Sequence, residues 1–560
     1  MSSDVAAPPA ALVAVGARVR HARDALLAVR TAYVLGAFVL VQWLAVLALA
    51  LTVRHNGWLY YAGGDQIWHY SGAYLLAHGH LPFAFVSYGW SVLLLPIAAF
   101  AGPNLASALP AMVLLNTVVL LPVALLAVYG IASRLAGRLF GYWAAALWIA
   151  VPYLGIVFVE PGYHQKYTEL TLPQLVGLTS VPDFPSVVAL LVGAYFCVRA
   201  LDSPGWHAPA AAGLAAGYSI AIKPSNSLFL VAPALTLVLL RWRALVPFAL
   251  GLAPALLTLA LWKYRGLGEL AAAPSEPVRL ASASGLLDRI HNTGKLNSFE
   301  HLHQVLLALR EHFWVSRVIE WLPLAGMVAL LIRSRRGFLL IGTWFAVYVL
   351  AKATYIPASV DDASFWRILM PAFPAYVSLS AAVLLLVPGV RARPEGGVIP
   401  LRGRKLTIAA AAAIAVFVVA PLAVVAATPT LRDRGTDALR LGDDGPLVPI
   451  SSSAAPRGVV AAGAVRLSWP RRAPDSTRIF YRVLRASGDG APGCAGRRGP
   501  SADNCVLYMD TAGTTSSTSF VDRPGPGRWS YRIGVSANWL NDPRYGDVYV
   551  VSPRTTVTVR

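Results

Sequence analysis

Long apolar runs separated by short polar or basic turns occupy most of the first 430 residues. Eleven such runs can be marked, at 33–53, 111–131, 140–159, 182–201, 208–222, 227–240, 246–261, 318–332, 338–350, 368–387 and 406–427. A bilayer span needs ~20 apolar residues, so these runs predict transmembrane helices, some of them short. A further run, 92–100, is too brief to cross and opens after Tyr88-Gly89-Trp90, the aromatic and glycine entry of a helix lying in the interface. After the last run Pro, Gly, Ser and Arg replace Leu and Ala. Polar and apolar residues alternate at 465–469, 479–484, 518–521 and 531–535, which predicts the short strands of a β-sandwich.

Composition turns this pattern into a class. Of 560 residues 56% are hydrophobic and only 13% charged, and the mean hydropathy is +0.58. The expected fold is a polytopic α-helical membrane protein of about 11 spans, with interfacial helices in its first outer loop and a C-terminal all-β sandwich. The formal net charge of +20 would suit nucleic acid. The arginines, however, sit in small clusters between apolar runs, where they set orientation in a membrane, so no nucleic-acid partner is expected.

Those clusters decide the topology. Residues 1–30 carry Arg18, Arg20, Arg23 and Arg30 against Asp4 and Asp24, which puts this arm in the cytoplasm. No compact cleavable leader is visible there, so the first helix is expected to be retained. With 92–100 in the interface, Arg134, Arg138, Arg199, Arg241, Arg243, the 333–336 cluster and the 391–405 loop all fall on the side of the arm; with 92–100 spanning, all would fall outside. The expected division is a cytoplasmic arm 1–30, a membrane domain 31–430 with outer loops 54–90, 160–181, 263–317 and 355–366, a linker 431–455 and an extracytoplasmic sandwich 456–560.

Polar side chains with chemical potential gather on the outer side. Asp65 follows Gly63-Gly64 just past the first span and is trailed by Gln66, Trp68, His69 and Tyr70. A glycine-rich run, 213–222, ends in Lys223-Pro224, and Trp366-Arg367 opens a late helix ahead of Pro371 and Pro374. With the basic turn 132–141 between them, these pieces resemble in order the GT-C superfamily, integral-membrane glycosyltransferases of the protein O-mannosyltransferase or aminoarabinose transferase type. The resemblance implies a hexosyl- or pentosyltransferase that takes a sugar from a polyprenyl-phosphate donor, with an acceptor glycan, lipid or protein and membrane lipids as its other partners. It also implies Asp65 as the general base on an acceptor hydroxyl, and Lys223 and Arg367 as the cations on the departing phosphate. Several members carry a second acid beside the first. Gln66 stands there in this chain, so neither a divalent metal nor another cofactor is expected.

Other positions are weaker candidates. Gln66, His69, His164 and Lys166 could contact sugar or phosphate, and Asp361-Asp362 could bind hydroxyls or balance Arg367. No histidine pair has metal-ligand spacing within one helix, and no phosphate loop, dinucleotide pattern or nucleophile elbow occurs. A secondary transporter is the main rival, yet the mid-span regions are nearly free of charge and no internal repeat is visible. A lipid-linked polysaccharide ligase or polymerase would share the donor type. Near the C-terminus, Trp469, the Tyr481-Arg482-Val483 strand and the stretch 524–538 resemble a fibronectin type III domain. Cys494 and Cys505 flank a loop between two of its strands, and a bridge between them needs an oxidising compartment.

Overall fold

A computed structural model describes residues 18, 21, 23–52, 64–82, 84, 86–102, 105–164, 181–202, 204–267, 297–361, 364–388, 390, 392, 394, 404–429, 436–440, 447–451, 455–471, 480–488, 509–536 and 550–560. In their described residues all eleven predicted runs form helix. Among the described residues eight stretches, from Thr31–Ala48 to Thr407–Ala427, are long and apolar enough to cross a membrane. One of them, Pro224–Gly266, covers two of the predicted runs, because the chain breaks at Trp242–Ala244 and restarts as helix Leu245–Leu267. His207–Ile222, with 16 residues, and the more charged Ser316–Arg333 complete the eleven. The chain is therefore an integral membrane protein with a C-terminal antiparallel β unit.

Burial sorts the spans by position. Two-thirds of Asp183–Asp202 (67%) is buried inside the protein, against 17% of Thr31–Ala48 and 11% of Thr407–Ala427, which present their apolar side chains outward. The central helix is thus the one that begins with a carboxylate. Helices His207–Ile222 and Leu245–Leu267 cross closely at two glycines. A Cβ on Gly213 would fall 1.9 Å from the Phe248 carbonyl oxygen, and one on Gly251 2.1 Å from that of Ala210. Small residues at a crossing let backbones approach where no hydrophobic drive separates helix from lipid.

The run 92–100 is too short to span, as expected, and is split between two helices. Tyr88–Leu93 and Leu95–Ala101 are short helices separated at Leu94, with Pro96 at the start of the second. They pack against helix Gly64–Ala77 in a core of their own that includes Tyr70, Trp90, Tyr218, Ile222 and Trp262. Lys263 and Trp262 fix the intervening turn from the end of helix Leu245–Leu267. Lys263 Nζ donates to the Ala84 carbonyl at 2.7 Å and Trp262 Nε1 to that of Val86 at 2.8 Å. Leu81 N–H donates to the Pro429 carbonyl at 2.7 Å, so this turn also meets the end of the last span.

Among the described residues the C-terminal unit has ten strands. β1 (Thr436–Arg440) and β2 (Leu447–Ser451) form a hairpin of their own. β3 (Arg457–Ala461), β4 (Ala464–Ser468) and β7 (Ser519–Asp522) form one sheet in the order β3-β4-β7. β10 (Thr555–Val559), β8 (Gly527–Ser536), β5 (Phe480–Ser487) and β6 (Asp510–Thr515) form the other in the order β10-β8-β5-β6, with β9 (Val550–Val551) on β8. Alternation along the strands puts Val465, Leu467, Tyr481, Val483, Tyr531, Ile533 and Val559 in one core with Trp469, which closes a sandwich. The two-residue turn between β3 and β4 has positive φ at both Ala462 (49°) and Gly463 (72°), the backbone that matches strand twist in a tight hairpin. Cys494 and Cys505 lie outside the described residues.

Candidate active site

Three charged residues from three different elements converge at one end of the membrane bundle. Asp183 is the first residue of its helix, where a carboxylate complements the unpaired backbone N–H groups, and Ser186 Oγ donates to its carbonyl at 2.7 Å. Its side chain is 1% exposed. One carboxylate oxygen accepts from Lys223 Nζ, and the other accepts from Arg367 Nη2 at 2.9 Å. Lys223 also reaches the Arg367 carbonyl at 3.4 Å.

Local sequence explains why each cation points there. Pro224 disfavours helical backbone at the residue before it, so helix His207–Ile222 stops and Lys223 is extended, at φ −139° and ψ 102°. The turn Pro224–Leu230 that follows is stitched by Asn226, whose Nδ2 donates to Ser219 Oγ at 2.8 Å and whose Oδ1 accepts from Tyr348 at 3.3 Å. Arg367 lies in the short helix Ser364–Leu369, interrupted by Pro371 before Phe373–Ala382 continues. Lys352 stands over the Tyr355 ring at 5.6 Å, near enough to Lys223 for the two charges to interact. Two cations thus share one described carboxylate, with Lys352 a third positive charge close by. Lys223 is 24% and Arg367 26% exposed, so neither is sealed from an incoming anion.

A cap of interlocked loops holds the helix that carries Arg367. Trp366 Nε1 donates to Tyr163 Oη at 2.7 Å, and Tyr163 donates in turn to the Val360 carbonyl at 2.5 Å. The Tyr163 ring stacks on His312 at 4.2 Å. Glu160 Oε1 is 3.5 Å from His312 Nδ1 and Asp361 Oδ1 is 3.2 Å from Nε2. Those carboxylates address different ring nitrogens, and among the described residues no three His, Cys, Asp or Glu are arranged to hold a metal ion.

The first-loop helices reach the same end of the bundle. Tyr88–Leu93 docks on the last turn before Lys223: a Cβ on Gly89 would lie 2.7 Å from the Ala221 carbonyl carbon and from the Ile222 nitrogen. Ser87 Oγ donates to the Ile222 carbonyl, and Tyr218 Oη donates to that of Gly89 at 2.9 Å. Helix Gly64–Ala77, which contains Asp65, lies against this element, with Gly72 facing Ser91. Gln66 and His69 are buried, and burial beside Tyr74 pushes the Tyr70 phenol up to about 12. The Asp65 side chain and Lys166 lie outside the described parts of the chain. His164 is exposed, one residue beyond buried Tyr163.

Of the residues singled out in the sequence, Lys223 and Arg367 meet directly. The residue that joins them, Asp183, is hidden at the head of an apolar run, where Pro182 and Pro185 flank the only acid of the first turn. An acid at the start of a span was the available signal. Tyr163 and His312 carried none, because their roles come from contacts between distant loops.

No family model matches the chain, and no curated protein matches it. Solved structures to which it is similar include two archaeal ones. One is the crystal structure of the Archaeoglobus fulgidus oligosaccharyltransferase in the apo form, at 12% identity and a TM-score of 0.38 over 70% of this chain and 56% of that one. The other is the archaeal oligosaccharyltransferase AglB from Archaeoglobus fulgidus in complex with an inhibitory peptide and a dolichol-phosphate, at 13% identity and a TM-score of 0.35 over 70% and 55%. The chain spans a little over half the length of these structures.

Proposed function

We propose that the chain is a membrane glycosyltransferase that moves a sugar from a polyprenyl-phosphate donor to an acceptor hydroxyl on the extracytoplasmic face. One arrangement carries this reading. Lys223 and Arg367, 144 residues apart in sequence, meet on a single buried carboxylate while each keeps about a quarter of its side chain open. A compact ammonium beside a guanidinium fork suits a phosphate monoester leaving group, and Asp183 keeps the two cations in place between turnovers. Asp183 is here a positioning residue, and Lys352 adds positive charge to the same end.

The reaction balances without a further reactant. Asp65 takes the proton from the acceptor O–H, and the oxygen forms a bond to the anomeric carbon. The bond from that carbon to the phosphate oxygen breaks, and its electron pair leaves on the phosphate held by Lys223 and Arg367. Direct displacement inverts the anomeric configuration. Gln66 and His69 line the acid's helix as sugar contacts, with His164 and Lys166 in the second loop. We assign the sandwich to the fibronectin type III type on its strand orders β3-β4-β7 and β10-β8-β5-β6, and place it outside the cell with the N-terminus in the cytoplasm.

The test is sugar transfer in membranes from a radiolabelled polyprenyl-phosphate sugar. Asp65→Asn is expected to abolish transfer at unchanged expression, and Lys223→Ala to raise the donor KM. Transfer at the wild-type level by Asp65→Asn overturns the assignment. Mass spectrometry of lipid-linked sugars with and without the protein names the donor by its accumulation.

A further inference from the structure

Asp183 and Asp202 mark the two ends of one 20-residue helix, ~30 Å apart at ~1.5 Å per residue. The Asp202 end differs in character from the Asp183 end. Arg134 Nη1 donates to Asp202 Oδ2 at 2.6 Å and Arg336 Nη1 to Oδ1 at 2.7 Å, so this carboxylate already holds two cations. Beside it, between the 204–206 turn and the break at Trp242–Ala244, lies a cleft of about 760 Å³.

Its walls are amphipathic. Trp206 and Trp242 stand exposed at the rim, and Val246 and Leu250 are exposed along the first turns of helix Leu245–Leu267, extending the cleft toward the hydrocarbon layer. Arg241 is committed to structure: its guanidinium donates to the carbonyls of Ala200 and Gly205. Arg243 is not committed in this way. It is exposed, lies over the Trp242 ring at 5.6 Å, and has no carboxylate within ion-pair distance among the described residues. None of the residues lining the cleft is acidic.

We propose that this cleft seats an anionic phospholipid, its phosphate on Arg243 and one acyl chain along Val246 and Leu250. Tryptophan at a span end marks the headgroup level, and basic pockets between spans at that level complement headgroups of net negative charge. A zwitterionic headgroup would bring its own ammonium against Arg241 and Arg243, so the cleft discriminates by charge. The site is separate from the Lys223–Asp183–Arg367 cluster and does not depend on the proposed reaction.

The experiment is native mass spectrometry of the full-length protein in mild detergent, titrated with phosphatidylglycerol or phosphatidylcholine. Phosphatidylglycerol is expected to be retained at several-fold lower concentration. Arg243→Ala is expected to weaken its retention roughly fivefold, the weight of one basic side chain at a membrane surface, with phosphatidylcholine unchanged. Arg243→Lys should keep most of the affinity, and Arg333→Ala, an exposed cation elsewhere, should change nothing. A parallel thermal unfolding series should show stabilisation by phosphatidylglycerol but not by inorganic phosphate at matched ionic strength. Equal retention of the two lipids, equal losses in Arg243→Ala and Arg333→Ala, or matching stabilisation by inorganic phosphate would each overturn the proposal.

Discussion

Replacing Asp183 with asparagine keeps the shape of the side chain and removes the charge that Lys223 and Arg367 share. In the native protein each carboxylate oxygen holds one cation, Arg367 at 2.9 Å, and the acid itself is 1% exposed. Cations seated on the two oxygens of one carboxylate stand about 6 Å apart, where their repulsion is roughly 3 kcal/mol at an effective dielectric constant of about 20. The anion attracts each of them by about 4 kcal/mol at a separation of about 4 Å under the same screening, and much of that gain offsets the cost of burying it. Removing one partner of a buried ion pair destabilises proteins by ~3–5 kcal/mol. Lys223 and Arg367 can each turn toward water through their open quarter, so a loss at the lower end, about 3 kcal/mol, is expected. Unfolding of the purified protein, followed by tryptophan fluorescence, reads this directly. The double variant Asp183→Asn with Lys223→Met relieves the repulsion and should recover part of the loss, because the two sites are not independent. Unfolding of Asp183→Asn within a few tenths of a kcal/mol of wild type, or a double variant worse than the sum of the singles, would refute the reasoning.

Two further perturbations probe the scaffold. Gly89→Ala forces a Cβ to within 2.7 Å of the Ala221–Ile222 backbone, so the first-loop helix must lift from the turn before Lys223. A loss of ~1–3 kcal/mol in the unfolding assay is expected, with reduced sugar transfer. Gly36→Ala, where nothing lies within 4 Å of the new Cβ, should leave both unchanged or gain slightly from helix propensity. In the sandwich, Ala462 sits at φ 49° in the β3–β4 turn, a conformation in which asparagine is favoured over alanine. Ala462→Asn is expected to stabilise the sandwich by up to ~1 kcal/mol, and a lowered unfolding midpoint would contradict this account of the turn.

Much of this architecture is written in hydrophobic period. The eleven runs are contiguous apolar blocks that fold as helices, and 92–100 betrays itself by brevity and by Tyr88-Gly89-Trp90. The break at Lys223 is equally legible, because Pro224 acts on its immediate neighbour. What could not be read was partnership. Asp183 lies 40 residues from Lys223 and 184 from Arg367, and nothing local in Val181-Pro182-Asp183-Phe184 says which cations it meets. The Tyr163–His312–Trp366 cap is hidden for the same reason: its members come from three distant segments, and only tertiary packing brings Trp366 within hydrogen-bonding reach of Tyr163 and stacks His312 on its ring.

The last span ends at Ala427, and two residues further on the Pro429 carbonyl accepts from Leu81 N–H, while Arg265 Nη1 donates to the carbonyl of Ala426 in the last turn at 2.9 Å. Everything C-terminal to that point is therefore moored to the turn that follows the helix of Asp65. A pull on the chain at Pro429 would load the Leu81 N–H bond, one turn beyond Ala77. The end of the last span is in this sense tied to the turn that follows the helix carrying the acid.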